Sequence, residues 1–300
     1  VIARLRIGVV AIILTGMTLW LWPLQALAMR RGWRLARRLP WIWHRVAAPV
    51  TGLKVRTVGR PAEARPLLLV SNHQSWADII ALGSVMELCF IAKAEVQNWP
   101  GFGLLARLQR TVFVAREERR RTGQQADEIA ERLLLGDAMV LFAEGTTSDG
   151  NGVLPFRTAL FGAAEAALRR SGQAEIVVQP VAVAYVAANG LPLGRYGRPL
   201  AAWPGSVPLM PHLPRFLSEG SVEAEVSFGT PIRFPANGDR KALARTCEAE
   251  VRRLLLASLQ GENRRPGGLV AVTHPQTALA SGPAEADTAC LADEVYQKGA

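Results

Sequence analysis

LLLVSNHQSWAD, residues 67–78, is the stretch on which the reading of this chain turns. Leu67–Ser71 is a short apolar run with Pro66 before it and a polar turn after it, which predicts a buried strand. The polar residues that follow carry His73 and Asp78 in an H-x-x-x-x-D spacing at a strand-to-helix turn. An imidazole titrates near neutral pH and is the natural general base. A carboxylate close by would fix its tautomer and stabilise the imidazolium. The same residues also fit a plainer arrangement, with Asn72 and His73 capping a helix and Asp78 as a surface acid.

Working outward, residues 88–92, 111–115 and 139–143 are similar apolar runs, and residues 176–185 form a longer one that Pro180 is expected to break. Val222–Phe228 alternates as a further strand. Helical periods lie between these runs. Ile129, Ala130, Leu133 and Leu134 share one face. Ala159, Leu160, Ala163, Ala164, Ala167 and Leu168 repeat at i, i+4 and i+8, with Gly172 as a stop signal. Asp239 can cap a last helix that turns Leu243, Cys247, Val251 and Leu254 inward. Strands alternating with helices predict an α/β fold with a largely parallel sheet. Ligands in such folds gather at the loops leaving the strands' C-terminal ends. Residues 261–300 lack any period and read as a loose tail.

Composition narrows the function classes. With 49% hydrophobic and 20% charged residues, the 300-residue chain can bury a core. Cys89, Cys247 and Cys290 show no C-x-x-C spacing, which excludes a disulfide scaffold and a structural zinc site. His44, His73, His212 and His274 stand singly, so no metal centre is expected. The net charge of +10 is uneven: residues 1–65 hold twelve Lys/Arg against one acid, and the other 235 residues hold 23 basic and 24 acidic groups. A neutral body with a basic arm argues against a nucleic-acid partner and for an anionic surface.

That arm reads as a membrane anchor over residues 1–50. Residues 7–29 form a 23-residue stretch without charge. At about 1.5 Å per residue it covers roughly 35 Å, enough for a hydrocarbon core. A cleaved signal peptide is the competing reading, but the run is long for one and its cleavage cue is weak. The following segment interleaves Arg30, Arg31, Arg34, Arg37, Arg38 and Arg45 with Trp33, Trp41 and Trp43, a pattern suited to a headgroup layer. The positive-inside rule puts this cluster, and the body of residues 51–260, on the cytoplasmic side of the inner membrane. Pro23 and Gln25 leave open whether residues 7–29 span the bilayer or dip into one leaflet.

No G-x-S-x-G elbow occurs, and no serine or cysteine stands out as a nucleophile. The nucleophile would then be a substrate hydroxyl activated by His73. Beyond residues 67–78, FIAK ends at Lys93, FVAR at Arg116, FAEGTTS carries Glu144, Gly145 and Thr146, and VVQPVAV carries Pro180. In order and spacing, these blocks over residues 65–190 resemble the glycerolipid acyltransferases of the 1-acylglycerol-3-phosphate acyltransferase type. The resemblance implies a mixed, largely parallel central sheet flanked by helices, with N-terminal membrane-anchoring helices seated as a hairpin in one leaflet. It implies that His73 deprotonates a lysolipid hydroxyl, that Asp78 orients it, and that the hydroxyl attacks an acyl carrier protein or coenzyme A thioester, with no metal or organic cofactor. It further implies that Arg116 holds the acceptor's anionic head, that Glu144, Gly145 and Thr146 line the acceptor site, and that Pro180 shapes an acyl pocket. Lys93 is either a second head-binding cation or a surface residue.

Two positions depart from the family pattern. Thr147 stands where the third block usually carries arginine, and Arg110 where the second block usually carries glycine. Both changes are expected to touch the head-group site. The run EGTTSDGNGVLPFRTALFGAA, residues 144–164, resembles the branch that acylates lyso-ornithine lipid. Such an acceptor offers one carboxylate and one ammonium, the latter within reach of Asp149. The alternatives are a lysophosphatidic acid acyltransferase, a non-catalytic lipid-binding scaffold and a thioesterase.

Overall fold

The computed structural model describes residues 1–114 and 122–264. Nine strands form one sheet: β1 Leu53–Val58, β2 Leu67–Ser71, β3 Cys89–Lys93, β4 Val112–Val114, β5 Ala138–Phe142, β6 Glu175–Ala188, β7 Leu191–Pro192, β8 Val222–Phe228 and β9 Ile232–Pro235. The order along the sheet is β1-β8-β6-β2-β5-β3-β4, with β7 and β9 also pairing with β6. Pairings are parallel except those of β6 with β7, β8 and β9. The expected mixed, largely parallel sheet is present.

The helices are α1 Ile2–Arg30, α2 Leu35–Thr51, α3 Ala77–Val85, α4 Phe102–Leu108, α5 Thr122–Leu134, α6 Thr158–Ser171, α7 Leu209–Ser218 and α8 Arg240–Gln260. Alternation along the central strands sorts their side chains onto two faces. Leu68, Val70, Met139, Leu141 and Val178 pack with Ile129, Leu133, Phe161, Leu168 and Val251 from α5, α6 and α8. Leu67, Leu69, Val140, Val183 and Tyr185 pack with Ala47, Ala81, Leu82 and Phe216 from α2, α3 and α7. Full burial of side chains such as Leu67 and Leu69 contributes about 1.5–3 kcal/mol each.

β2 and β8 have the expected bounds, and Asp239 caps α8 by accepting from the Lys241 N–H at 2.8 Å. Gly172 ends α6 in the left-handed conformation that a side chain would resist. Three readings need correction. Pro180 does not break β6. It sits where β6 changes partner, from β9 over residues 175–178 to β8 over residues 181–188, so no ladder needs its missing N–H. Its carbonyl accepts from the Gly229 N–H at 2.8 Å. Leu134 does not share the buried face: it is the last residue of α5 and is 57% exposed. The run 111–115 narrows to Val112–Val114, and residue 115 lies outside the described residues. Residues 265–300, most of the expected tail, also lie outside them.

α1 and α2 form an antiparallel helical hairpin against the body. Arg6 donates to the Thr51 carbonyl at 3.4 Å, the Trp43 indole to the Thr18 hydroxyl at 3.0 Å, and the Gln25 amide to the carbonyls of Ala36 and Leu108 at 3.0 and 2.7 Å. Gln25 therefore fastens α1 to α2 and to the end of α4, which accounts for an amide inside an apolar run. The opposite face, with Ile12, Leu19, Trp20 and Leu24, is exposed. α1 is long and apolar enough to cross a membrane and is a candidate anchor.

Candidate active site

β2 and β5 are parallel neighbours with Ser71 opposite Phe142, so His73 and Glu144, two residues beyond each strand, emerge side by side. The Glu144 carboxylate joins two loops. One oxygen accepts from the His73 backbone N–H at 2.9 Å and the other from the Leu154 N–H at 3.1 Å. Burial pushes the Glu144 carboxyl up to about 8, against the pull of those two donors. The turn at Gly145 has φ +72°, a conformation that favours glycine. Ser148 then donates its N–H to the His73 carbonyl at 2.8 Å, closing the loop over the histidine.

His73 and Asp78 are brought together. His73 Nδ1 lies 2.8 Å from Asp78 Oδ2, and Asp78 is fully buried, so the surface-acid reading does not hold. The same oxygen accepts from the backbone N–H groups of Gln74 and Ser75, at 2.7 and 2.9 Å. Oδ1 accepts from the Tyr185 hydroxyl at 2.7 Å. Four donors thus converge on one carboxylate at the first turn of α3, where the helix dipole also favours negative charge. Because a carboxylate only accepts, Nδ1 carries the proton and Nε2 is left as the basic nitrogen. The ring stacks on Phe142, with centroids 3.9 Å apart, and keeps 19% of its side chain exposed. A held imidazole with its tautomer set and one nitrogen open can accept a proton from a bound hydroxyl.

In the sequence Tyr185 reads as one more core residue of β6. The available signal was a phenol within VAVAYVAA, since a buried hydroxyl requires a partner. Burial and the neighbouring Asp78 charge hold its pKa well above the ordinary phenol value, so it remains a donor. Asn72 does not cap the helix. Its side chain exchanges two hydrogen bonds with the Val183 backbone, at 3.0 and 2.9 Å, and extends β2 alongside β6 past its last residue. A second unread element is the segment around Trp203. Its N–H donates to the Gln74 carbonyl at 2.6 Å, and the Gly205 N–H donates to the Thr147 carbonyl at 3.2 Å, so one strand of chain lies across both loops.

Lys93 is exposed at the end of β3, level with Ala143 on the same rim of the sheet. Thr146 is half-buried beside Gly205, and Thr147 is buried. Pro180 is buried opposite Val70, inside the sheet. Asp149 is exposed, and hydrogen bonds from the side chain and backbone of Asn151 hold its carboxyl below the ordinary value. Arg116 lies outside the described residues.

Arg110 requires a correction. It precedes β4 and pairs with Asp137, which precedes β5, at 2.6 Å, so it stands at the N-terminal ends of the strands. His73 stands at the C-terminal ends, a strand length of about 16 Å away. The departure at Arg110 therefore does not touch the rim that holds His73. Its φ of +62° explains why glycine suits the position. Here an arginine accepts that backbone and completes an ion pair with the buried Asp137, which Arg37 of α2 joins at 3.3 Å.

The family model described as Acyltransferase matches residues 52–184, which include all of these loops up to β6. The chain is 55% identical over 262 residues to the lyso-ornithine lipid O-acyltransferase of Brucella abortus (strain 2308), a match covering 87% of this chain and 97% of that protein. This chain belongs to the acyltransferase family. The acyltransferase is also 45% identical to the lyso-ornithine lipid O-acyltransferase of Rhizobium meliloti (strain 1021), over 86% of this chain and 89% of that one. A 1-acyl-sn-glycerol-3-phosphate acyltransferase of Neisseria gonorrhoeae matches only 106 residues, at 42% identity, or 35% of this chain and 42% of that protein. The crystal structure of the 1-acyl-sn-glycerophosphate (LPA) acyltransferase PlsC from Thermotoga maritima has the same fold. Its TM-score is 0.50 at 22% identity, over 82% of this chain and 95% of that one.

Proposed function

We propose that this acyltransferase moves a fatty acyl group from an acyl carrier protein or coenzyme A thioester to the free hydroxyl of lyso-ornithine lipid. His73 Nε2 takes the hydroxyl proton, and the oxygen attacks the thioester carbonyl. The C–O bond forms, the C–S bond breaks, and the departing thiolate takes the proton from the imidazolium. Asp78 holds the ring and stabilises its charged form. These steps balance with one imidazole and two substrates, so the proposal invokes no metal or organic cofactor. The observation that carries it is the His73 Nδ1–Asp78 Oδ2 contact of 2.8 Å, with the carboxylate wholly buried and the imidazole still partly exposed.

Glu144 acts in this reading through the His73 backbone, while Gly145, Thr146 and Lys93 line the acceptor site and Arg116 contributes to head binding. The choice of acceptor rests on two supports. The relatives matched over most of their length are named as lyso-ornithine lipid O-acyltransferases. An uncharged Thr147 also removes a bidentate phosphate clamp, whereas Asp149 offers a fixed carboxylate to an ammonium. Residues 1–50 anchor the protein in the cytoplasmic leaflet of the inner membrane, residues 51–260 form the catalytic body, and residues 261–300 are a tail.

The test is acyl transfer by purified full-length protein, given lyso-ornithine lipid and lysophosphatidic acid in parallel with one acyl donor. Lyso-ornithine lipid is expected to be the better acceptor. His73→Ala is expected to lower its acylation by about 10²–10⁴-fold. Near-native transfer by His73→Ala would discard the mechanism, and a preference for lysophosphatidic acid would discard the acceptor.

A further inference from the structure

We propose that the acceptor's anionic group is bound by Arg157, a residue that none of the four sequence blocks contains. The proposal rests on the lysolipid reading above and supplies the cation that Thr147 leaves missing. Arg157 ends the loop that begins at Glu144, and three contacts build its position. Its backbone N–H donates to the Ala143 carbonyl at 2.8 Å, and its Nε donates to the Glu144 carbonyl at 3.1 Å. The next backbone group inward, the Phe156 N–H, is held by the Glu248 carboxylate at 2.9 Å.

The side chain is exposed, and its two terminal nitrogens have no acid or other acceptor among the described residues. Several other arginines among the described residues of the body are spent on acids. Arg110 pairs with Asp137, Arg56 with Glu225, Arg169 with Glu165 and Arg252 with Glu248. Arg157 instead spends one edge of its guanidinium on a backbone carbonyl and leaves the other edge, a planar pair of donors, directed to solvent.

Arg157 and the proton acceptor share a neighbour in Glu144. Glu144 gives its carbonyl to Arg157 and its carboxylate to the His73 backbone, so the Arg157 guanidinium and the His73 main chain are held by a single residue. A fork anchored through Nε matches a carboxylate in two parallel hydrogen bonds. Asp149 lies on the same loop, where Ser148 bonds to His73, and takes the ammonium. The two charges of a zwitterionic headgroup thus meet opposite charges on the two arms of residues 144–157, with the hydroxyl presented to His73 between them.

The proposal is tested with full-length protein in neutral detergent. Arg157→Gln is expected to weaken binding of lyso-ornithine lipid in calorimetric titration, and to raise its KM, by about 10–100-fold. kcat and donor KM should stay within about twofold. Arg157→Lys, which keeps the charge without the fork, should recover part of the affinity. Unchanged acceptor affinity in a folded Arg157→Gln protein would overturn the proposal.

The unsubstituted protein offers an independent measurement. Lyso-ornithine lipid should shield Arg157 from phenylglyoxal, read by mass spectrometry, while a neutral monoacylglycerol should not. Equal labelling with and without lyso-ornithine lipid would also overturn it. If Arg157 is shielded and its replacement loses affinity, but the unsubstituted protein transfers no acyl group, the functional reading falls and this inference stands. If transfer proceeds while Arg157 proves indifferent, the reverse holds.

Discussion

Tyr185 and Asp78 meet across two layers of the fold, the phenol of β6 donating to Oδ1 of a carboxylate on α3 at 2.7 Å. The bond occupies the one carboxylate oxygen that the histidine loop leaves untouched. It ties the orientation of the His73 ring to the core of the sheet, since Tyr185 is itself fully buried.

Tyr185→Phe is expected to lower acyl transfer by about tenfold and to cost about 1.5–3 kcal/mol, the usual worth of a hydrogen bond to a buried charge. The check is the rate together with the thermal midpoint. Acceptor KM should hold, because the phenol touches no substrate. A native rate would remove Tyr185 from the positioning of Asp78.

Asp78→Asn should be more damaging. An amide at this position cannot accept from all four donors that meet the carboxylate, and it would turn an N–H toward one of them. Transfer is expected to fall at least 10²-fold, with the pH–rate profile altered as the imidazole loses its counter-charge. Equal activity in the two proteins across pH 6–9 would sink this account of the pair.

Glu144 makes stability depend on pH. Its folded pKa of about 8 lies above the ordinary value of 4.5, so between those limits the native state holds a proton that the unfolded chain has released. Its contribution to stability is therefore complete below about pH 4.5 and is lost as pH rises toward 8. The fall in thermal midpoint between pH 5 and pH 8 should be larger in the native protein than in Glu144→Gln, whose side chain does not titrate. Parallel profiles would contradict this.

Arg110→Gly separates the two ends of the sheet. It relieves a left-handed backbone, worth about 1–2 kcal/mol, but removes one partner of a buried ion pair, which costs about 3–5 kcal/mol when no other cation is near. Arg37 remains on Asp137, so a net loss of roughly 1–3 kcal/mol is expected. Acceptor and donor KM should be unchanged. A raised acceptor KM would place Arg110 in the head-group site after all.

Membrane attachment should follow the outer face of α1. Ile12, Leu19 and Trp20 are exposed, whereas Val10 and Gln25 are buried against the body. Replacing those three by Ser, Gln and Gln should shift the protein from the membrane fraction toward the soluble one without lowering its thermal midpoint. Deleting residues 1–50 is a different experiment, because it strips Ala47 and Ala48 from the core under the sheet. Undiminished membrane retention of the triple variant would mean that another surface holds lipid.

The sequence by itself determined the strand-and-helix alternation, the partition of charge between arm and body, and the spacing of His73 and Asp78. All of these are local: periodicity, capping and turn chemistry act within a few residues, so Val222–Phe228 and the Asp239 cap could be read directly. Only the tertiary structure decided what those residues do to one another. Pro180 looked like a break because its partners lie far along the chain, and the switch from β9 to β8 is invisible in the local sequence. Tyr185 and Arg157 looked ordinary because their meaning lies in Asp78 and Glu144, brought near by the packing of α3 on the sheet and by the return of the loop over residues 144–157. Arg110 shares a block with the expected head-binding residues, yet it stands at the opposite end of its strand, because a strand carries neighbours in sequence about 3.3 Å apart per residue toward opposite rims of the fold.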